Sequence, residues 1–105
     1  MPNANQPVFS LLGLCRKASL ASFGHDAAKS ALRDKKAKLC LICADASPRL
    51  KEEFRWLAGN AKVPLRELDA TSLEIKAATQ YKAAVLTVNN SGFAEKLLAL
   101  LAPNQ

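Results

Sequence analysis

The chain has 105 residues, half of them hydrophobic, with a formal net charge of +6 and a single histidine. That length suits one domain, residues 1–105, whose core needs no disulfide or metal staple, and no apolar run approaches the ~18 residues that span a bilayer. The opening Met1-Pro2-Asn3-Ala4-Asn5-Gln6 lacks the basic-then-apolar pattern of a leader, and three cysteines cannot all pair with one another. The expectation is a protein of the reducing cytoplasm with no membrane partner.

Charge is distributed unevenly. Residues 1–51 hold nine Lys/Arg against Asp26, Asp34 and Asp45, whereas residues 52–105 hold six of each sign, so the whole excess lies in the first half. A one-sided basic surface attracts polyanions and releases their counterions on binding, which places RNA and DNA among the expected partners.

The elements follow in chain order. From Pro7 to Ala18, Val8, Leu11, Leu12 and Cys15 fall at helical spacing, with Arg16 and Lys17 in the last turn. Leu20–Phe23 reads as a short strand. Ser22-Phe23-Gly24-His25 is a turn feeding a second helix, Asp26–Lys35, whose first-turn amides are free to meet an anion. Leu39–Ala44 has no polar alternation, as expected of a strand covered on both faces. Ser47-Pro48 is an N-cap and first-turn pair that opens a third helix with Leu50, Phe54, Leu57 and Ala58 in one stripe, closed by Gly59-Asn60. Val63–Leu68, carrying Pro64, reads as an edge strand. Thr71-Ser72-Leu73-Glu74 has capping-box spacing and starts a short helix. Ala83–Val88 is the last strand, and Asn89-Asn90-Ser91 turns into a helix anchored by Phe93, Leu97, Leu98 and Leu101. Only residues 1–6 and 103–105 read as frayed. The pattern predicts an α/β fold, a three-layer α/β/α sandwich about a small central mixed sheet of about four strands.

Several segments are candidates for chemistry. On the second helix, Ala27, Ala28, Ala31 and Leu32 occupy one side, and Asp26, Lys29, Ser30 and Arg33 the other, with Lys36 and Lys38 continuing the positive charge. This polar face and the Gly24-His25 turn suit a sugar–phosphate backbone, and Asp26 suits base edges, to which acidic side chains can accept hydrogen bonds. Cys40 and Cys43, three apart on a strand, point to opposite faces, so they are read as buried apolar residues and neither a chelate nor a disulfide. Asp45 lacks the neighbouring carboxylates a Mg²⁺ site needs and is read as capping the turn into the Ser47-Pro48 helix. His25 has no Ser or Cys partner at a useful spacing, and no phosphate-binding or dinucleotide fingerprint exists, so neither catalysis nor a cofactor is expected. Trp56 falls off the apolar stripe of its helix and is read as covering the edge of the core. Tyr81-Lys82 suits stacking or phosphate contact but reads first as an ordinary loop.

Taken together, Leu11-Leu12-Gly13-Leu14-Cys15-Arg16-Lys17-Ala18, Gly24 with Ala31-Leu32, Lys36-Ala37-Lys38-Leu39, Ala44-Asp45-Ala46-Ser47, Val63-Pro64 and Gly92-Phe93-Ala94 resemble the kink-turn RNA-binding ribosomal-protein superfamily, the L-seven-Ae family, and most closely its short bacterial YlxQ-type members. The resemblance spans about Phe9 to Leu101. It implies an α/β/α sandwich that binds structured RNA, typically a sharply kinked internal loop with tandem sheared G·A pairs. In the family, a Gly-x-Asn-Glu-x-x-Lys motif at the start of the second helix contacts those pairs. Here Gly24 matches the glycine and Asp26 stands at the Asn position, while Ala27 replaces the Glu and Ser30 the Lys. Lys29 or Arg33 can replace the lost charge but not the lost acceptor. Two further contact loops correspond to Asp45-Ala46-Ser47 and to Tyr81-Lys82-Ala83-Ala84.

The resulting expectation is a non-enzymatic protein, read by default as a monomer, that binds structured RNA (ribosomal or other non-coding) in a ribosome- or ribonucleoprotein-associated role. Its expected contacts are Gly24, His25, Asp26, Lys29, Ser30, Arg33, Lys36, Lys38, Ala46, Ser47 and Lys82. The rival is a protein-interaction module on the same fold that has lost the RNA site.

Overall fold

The computed structural model describes residues 6–101. The fraying expected of the ends lies outside the described residues except at Gln6, which is the first residue of a helix. The elements are α1 (Gln6–Lys17), β1 (Ala21–Phe23), α2 (His25–Arg33), β2 (Leu39–Cys43), α3 (Pro48–Ala61), β3 (Leu65–Leu68), α4 (Ser72–Thr79), β4 (Val85–Val88) and α5 (Ser91–Leu101).

The four strands form one mixed sheet in the order β1-β4-β2-β3. β4 is antiparallel to both its neighbours and β2 is parallel to β3. β3, entered through Pro64, is an edge strand as its proline requires.

Alternation along the two central strands divides the core in two. Leu39, Leu41 and Cys43 of β2 and Leu86 and Val88 of β4 join Val8, Leu12 and Cys15 of α1, Ile75 of α4 and Ala94 and Leu97 of α5 on one face. Cys40 and Ile42 of β2 and Val85 of β4 join Ala28, Ala31 and Leu32 of α2 and Phe54 and Ala58 of α3 on the other. Each large side chain buried this way contributes roughly 1.5–3 kcal/mol. The three-layer sandwich follows: α1, α4 and α5 below the sheet, α2 and α3 above it. Cys40 and Cys43 lie in different cores, as their spacing dictates. Among the described residues, no helix is long and apolar enough to cross a membrane.

Local chemistry sets the helix ends. Ser47 Oγ accepts from the amide of Leu50 at 3.1 Å, with Pro48 opening α3. Thr71 and Glu74 form the reciprocal capping box of α4, and Asn90 Oδ1 accepts from the amide of Phe93 at 2.9 Å in the first turn of α5. Most element ends differ from expectation by one or two residues, α2 ending at Arg33 and β3 and β4 beginning at Leu65 and Val85, and one such shift has a visible cause. α3 does not stop at Gly59-Asn60 but runs on to Ala61, because Lys62 adopts the left-handed conformation (φ 59) that closes it. Val63 N then donates to Ala58 O at 2.9 Å, and Lys62 N to Gly59 O at 3.2 Å, satisfying carbonyls of the last turn. Lys35, just past α2, has the same conformation (φ 61). A side chain there costs about 1 kcal/mol relative to glycine.

Candidate nucleic-acid interface

Strand register determines which loops meet. The ends of β1 and β2 and the start of β4 coincide, with Phe23 opposite Leu86 and Ile42 opposite Val85, and β3 ends with Leu68 opposite Cys43. Gly24 N donates to Val85 O at 2.9 Å, Cys43 N to Ala84 O at 2.8 Å and Ala44 N to Ala70 O at 3.0 Å. Segments 24–26, 44–47, 70–72 and 80–84 therefore share one end of the sheet, the loop end.

At its centre is the start of α2. Gly24, in a positive-φ conformation (φ 95, ψ 169), takes the N-cap position, and no side chain caps it. A Cβ on Gly24 would meet no atom within 4 Å, so backbone conformation alone requires glycine there. α3, α4 and α5 all have side-chain caps, whereas α2 leaves its first-turn amides open.

His25 follows at once. Its Nδ1 lies 2.9 Å from Asp26 Oδ1, and its Nε2 lies 3.0 and 2.9 Å from the two carboxylate oxygens of Glu53 on α3. The ring stands edge-on to Phe54, with centroids 5.5 Å apart. Hydrogen bonding to Asp26, then to Glu53, holds the imidazole pKa above its ordinary value. Asp26 itself projects fully into solvent. Sequence spacing does not reveal Glu53, which lies 28 residues from His25 on a helix whose only periodic signal is its apolar stripe. It is the carboxylate that stands beside the start of α2 where Ala27 has none.

The other loops supply an aromatic platform and more acceptors. Tyr81 is more than a spacer: it stacks on Phe23 (centroids 5.3 Å apart, rings within 17°), and the Arg16 guanidinium lies 5.8 Å from its centroid. Arg16 is held in turn by a 2.9 Å bond from Nε to Thr79 O. Lys82 follows, exposed. Asp45 corrects the expectation that it serves α3: its carboxylate accepts from Ser72 N (3.1 and 3.2 Å) and Ser72 Oγ (3.2 Å), anchoring α4 to the loop after β2. Ser47 alone caps α3. Ala46 is buried and belongs to the upper core.

The expected contact residues do not all gather here. Gly24, His25, Asp26, Ala46, Ser47 and Lys82 are at the loop end. Lys29 and Ser30 lie along α2. Arg33, Lys36 and Lys38 are at the opposite end of the sheet, since Lys38 N donates to Val88 O at 2.8 Å, where β2 begins and β4 ends. With five residues in β2, the two ends are separated by roughly 16 Å at ~3.3 Å per residue.

Two side chains depart from their expected placement. Ala27 is exposed and not part of the packed face of α2, and Trp56 is 67% exposed and not at the edge of the core. At 100° per residue, Trp56 lies about 160° from Phe54 on the buried stripe, so it faces solvent. The upper layer also concentrates the charge: residues 24–38 and 47–62 contain nine Lys/Arg and four Asp/Glu, net +5 of the chain's +6.

Among the described residues no His, Cys, Asp and Glu side chains are grouped to hold a metal. Burial pushes the thiols up, Cys15 to about 11 and Cys40 and Cys43 to about 12, which keeps them protonated and poor ligands.

A compact α/β/α sandwich with an uncapped glycine turn among converging loops defines a class that comparison with other proteins identifies. Residues 8–98 match the Ribosomal protein L7Ae/L30e/S12e/Gadd45 family, and the chain belongs to it. It is 30% identical over 93 residues to the RNA-binding protein YlxQ of Bacillus subtilis (strain 168), covering 89% of this chain and 93% of that one. Its fold is similar to that of a protein of unknown function from Bacillus halodurans (TM-score 0.83, 24% identity, 90% and 96% of the two chains). It also resembles a 15.5kD RNA binding protein of Giardia lamblia (TM-score 0.74, 16% identity, 95% and 92%).

Proposed function

We propose that the protein is a non-enzymatic RNA-binding protein of the cytoplasm, and that its loop end takes a sharply bent, kink-turn-like internal loop of a structured RNA in a ribosomal or other ribonucleoprotein setting. The observation that carries this reading is the convergence of three loops around the uncapped start of α2. Family membership and the similarity to a protein named as RNA-binding support it.

In this reading the amides of Gly24, His25 and Asp26 meet the bent backbone. Asp26, fully exposed, and Glu53, held by His25, accept from base amino groups, and such contacts contribute roughly 1–3 kcal/mol of discrimination each. Tyr81, half exposed and held by Phe23 and Arg16, stands beside the bent strand. Ala46 and Ser47 shape the neighbouring loop, and Lys82, Lys29 and Ser30 flank the strand, with Arg33 farther along α2. The free, buried thiols accord with a reducing compartment.

The test is titration of a kink-turn RNA and a straight duplex of equal length at roughly 150 mM salt, where nonspecific attraction is screened. Preference for the kinked RNA, lost in Asp26→Ala, is expected. Equal binding of the two would replace specific recognition with a general basic surface.

The protein-interaction reading is favoured by one observation, a groove of about 740 Å³ between α1 and α4 lined by Phe9, Gly13, Leu14, Ala77 and Ala78. Failure to bind either RNA would leave that groove as the functional surface.

A further inference from the structure

The loop end mixes charges of both signs, with Lys82 and His25 set among carboxylates. Its side chains include Asp26, Asp45, Glu53 and Glu74, and Lys51 there is committed to Ala44 O (3.0 Å) and Glu67 (3.4 Å). At the far end, the turns after α2 and α3 lie side by side and enclose a groove of about 350 Å³ lined by Lys35, Ala37, Lys38, Ala61, Lys62, Val63 and Pro64. Three of its seven lining residues are lysines and none is acidic. Among the described residues, no carboxylate is within ion-pair distance of Lys35, Lys38 or Lys62; the nearby Asp34 is engaged by Arg33 at 3.3 Å.

Two of these lysines also occupy left-handed positions, Lys35 (φ 61) and Lys62 (φ 59), where glycine would be relieved of strain. Helix C-termini attract cations, which accounts for a lysine near each end. It does not account for a third converging on the same groove, nor for side chains kept at both strained positions.

A route connects the two ends. α2 and α3 pack side by side above the sheet, and the His25–Glu53 contact marks the seam between them. At 100° per residue, Lys29 and Arg33 of α2 and Arg49 and Trp56 of α3 project to the solvent side of that seam, and all four are exposed.

We propose that the groove formed by Lys35, Lys38 and Lys62 is a second phosphate site, which holds the backbone of the duplex that flanks the RNA element bound at the loop end. The duplex lies along the α2–α3 seam past Trp56. This rests on the reading of the loop end given above and extends it: the RNA must continue roughly 16 Å beyond the bent element, about six base pairs of A-form duplex at ~2.8 Å each. The loop end then reads bases through acceptors, and the far end holds charge.

The experiment compares one internal-loop RNA with stems trimmed to the loop against the same RNA with stems extended by roughly ten base pairs, across roughly 50–300 mM salt. Wild type is expected to show a log–log salt slope about two units steeper on the extended RNA, from three lysines at ~0.7–0.9 per phosphate. The single tryptophan, Trp56, is expected to change its emission and become shielded from iodide with the extended RNA only. The double variant Lys35→Gly/Lys62→Gly relieves backbone strain, so it is expected to unfold at the same or higher temperature while losing about two thirds of the extra slope, Lys38 being kept, and binding the extended RNA at least fivefold more weakly. Unchanged binding of the extended RNA by this variant overturns the second site and leaves the loop-end reading intact. Equal weakening on both RNAs overturns it in favour of diffuse charge, and inorganic phosphate at the groove with no effect of stem length overturns it in favour of a small-anion site. Binding of neither RNA by wild type overturns the loop-end reading and this site with it.

Discussion

His25 Nε2 and Glu53 Oε2 lie 2.9 Å apart, joining the first turn of α2 to α3 at the surface where the loops converge. A second carboxylate, Asp26, holds the other ring nitrogen at 2.9 Å. The folded protein therefore favours the imidazolium. Stability from this cluster is fully present below the unfolded-state pKa near 6.5 and is lost as pH rises through the raised folded-state value. A His25→Gln variant is expected to flatten that decline in denaturant titrations over the same range. Glu53→Gln should lower the imidazole pKa as followed by proton NMR; an unchanged pKa would show that the carboxylate does not hold the ring.

Gly24→Ala isolates the turn. Its positive φ is unfavourable for any residue with a Cβ, and no neighbour would be struck. The expected loss is about 1–2 kcal/mol of unfolding free energy from backbone strain alone. A loss near zero would mean that the turn relaxes to another conformation, which crystallography of the variant would show.

Phe54 and Trp56 are two residues apart on α3 and have opposite fates. Phe54 is fully buried and Trp56 is 67% exposed. Phe54→Ala is expected to cost roughly 3–5 kcal/mol, whereas Trp56→Ala should stay within about 0.5 kcal/mol. Urea titration of both measures the contrast, and comparable losses would move Trp56 back to the edge of the core.

Cys15, Cys40 and Cys43 are expected to resist a thiol reagent at neutral pH in the native state and to react together on unfolding. Their thiols are buried, with pKa values pushed up to about 11, 12 and 12. Fast native labelling of any one of them would show that its core opens readily.

Much of this architecture was legible in the sequence because its signals are local. The Ser47-Pro48 and Thr71–Glu74 caps, the unbroken apolar run of β2 and the spacing of Cys40 and Cys43 each follow from rules spanning a few residues. What was not legible depends on tertiary pairing. Asp45 reaches Ser72, 27 residues on, instead of the nearer helix. Glu53 meets His25 only because α2 and α3 pack above the same sheet. Lys36 and Lys38 continue the charge of α2 in sequence, yet the length of β2 separates them from the glycine turn. The end of α3 was misplaced because Gly59 is the commoner stop signal, while a lysine in the left-handed conformation has no signature.

The position of β4 has a consequence for the order in which the chain is made. β4 lies between β1 and β2, so until residues 85–88 leave the ribosome the N-terminal strand has no hydrogen-bonded neighbour and β2 has only β3. The Cys40–Leu65 pairing closes over 25 residues, and the Ser22–Thr87 pairing over 65. During synthesis the β2–α3–β3 unit can assemble, with α2 held to α3 through His25 and Glu53, while the glycine turn still lacks its strand partner. The start of α2 is then fixed late, by Val85, among the last strand residues to be added.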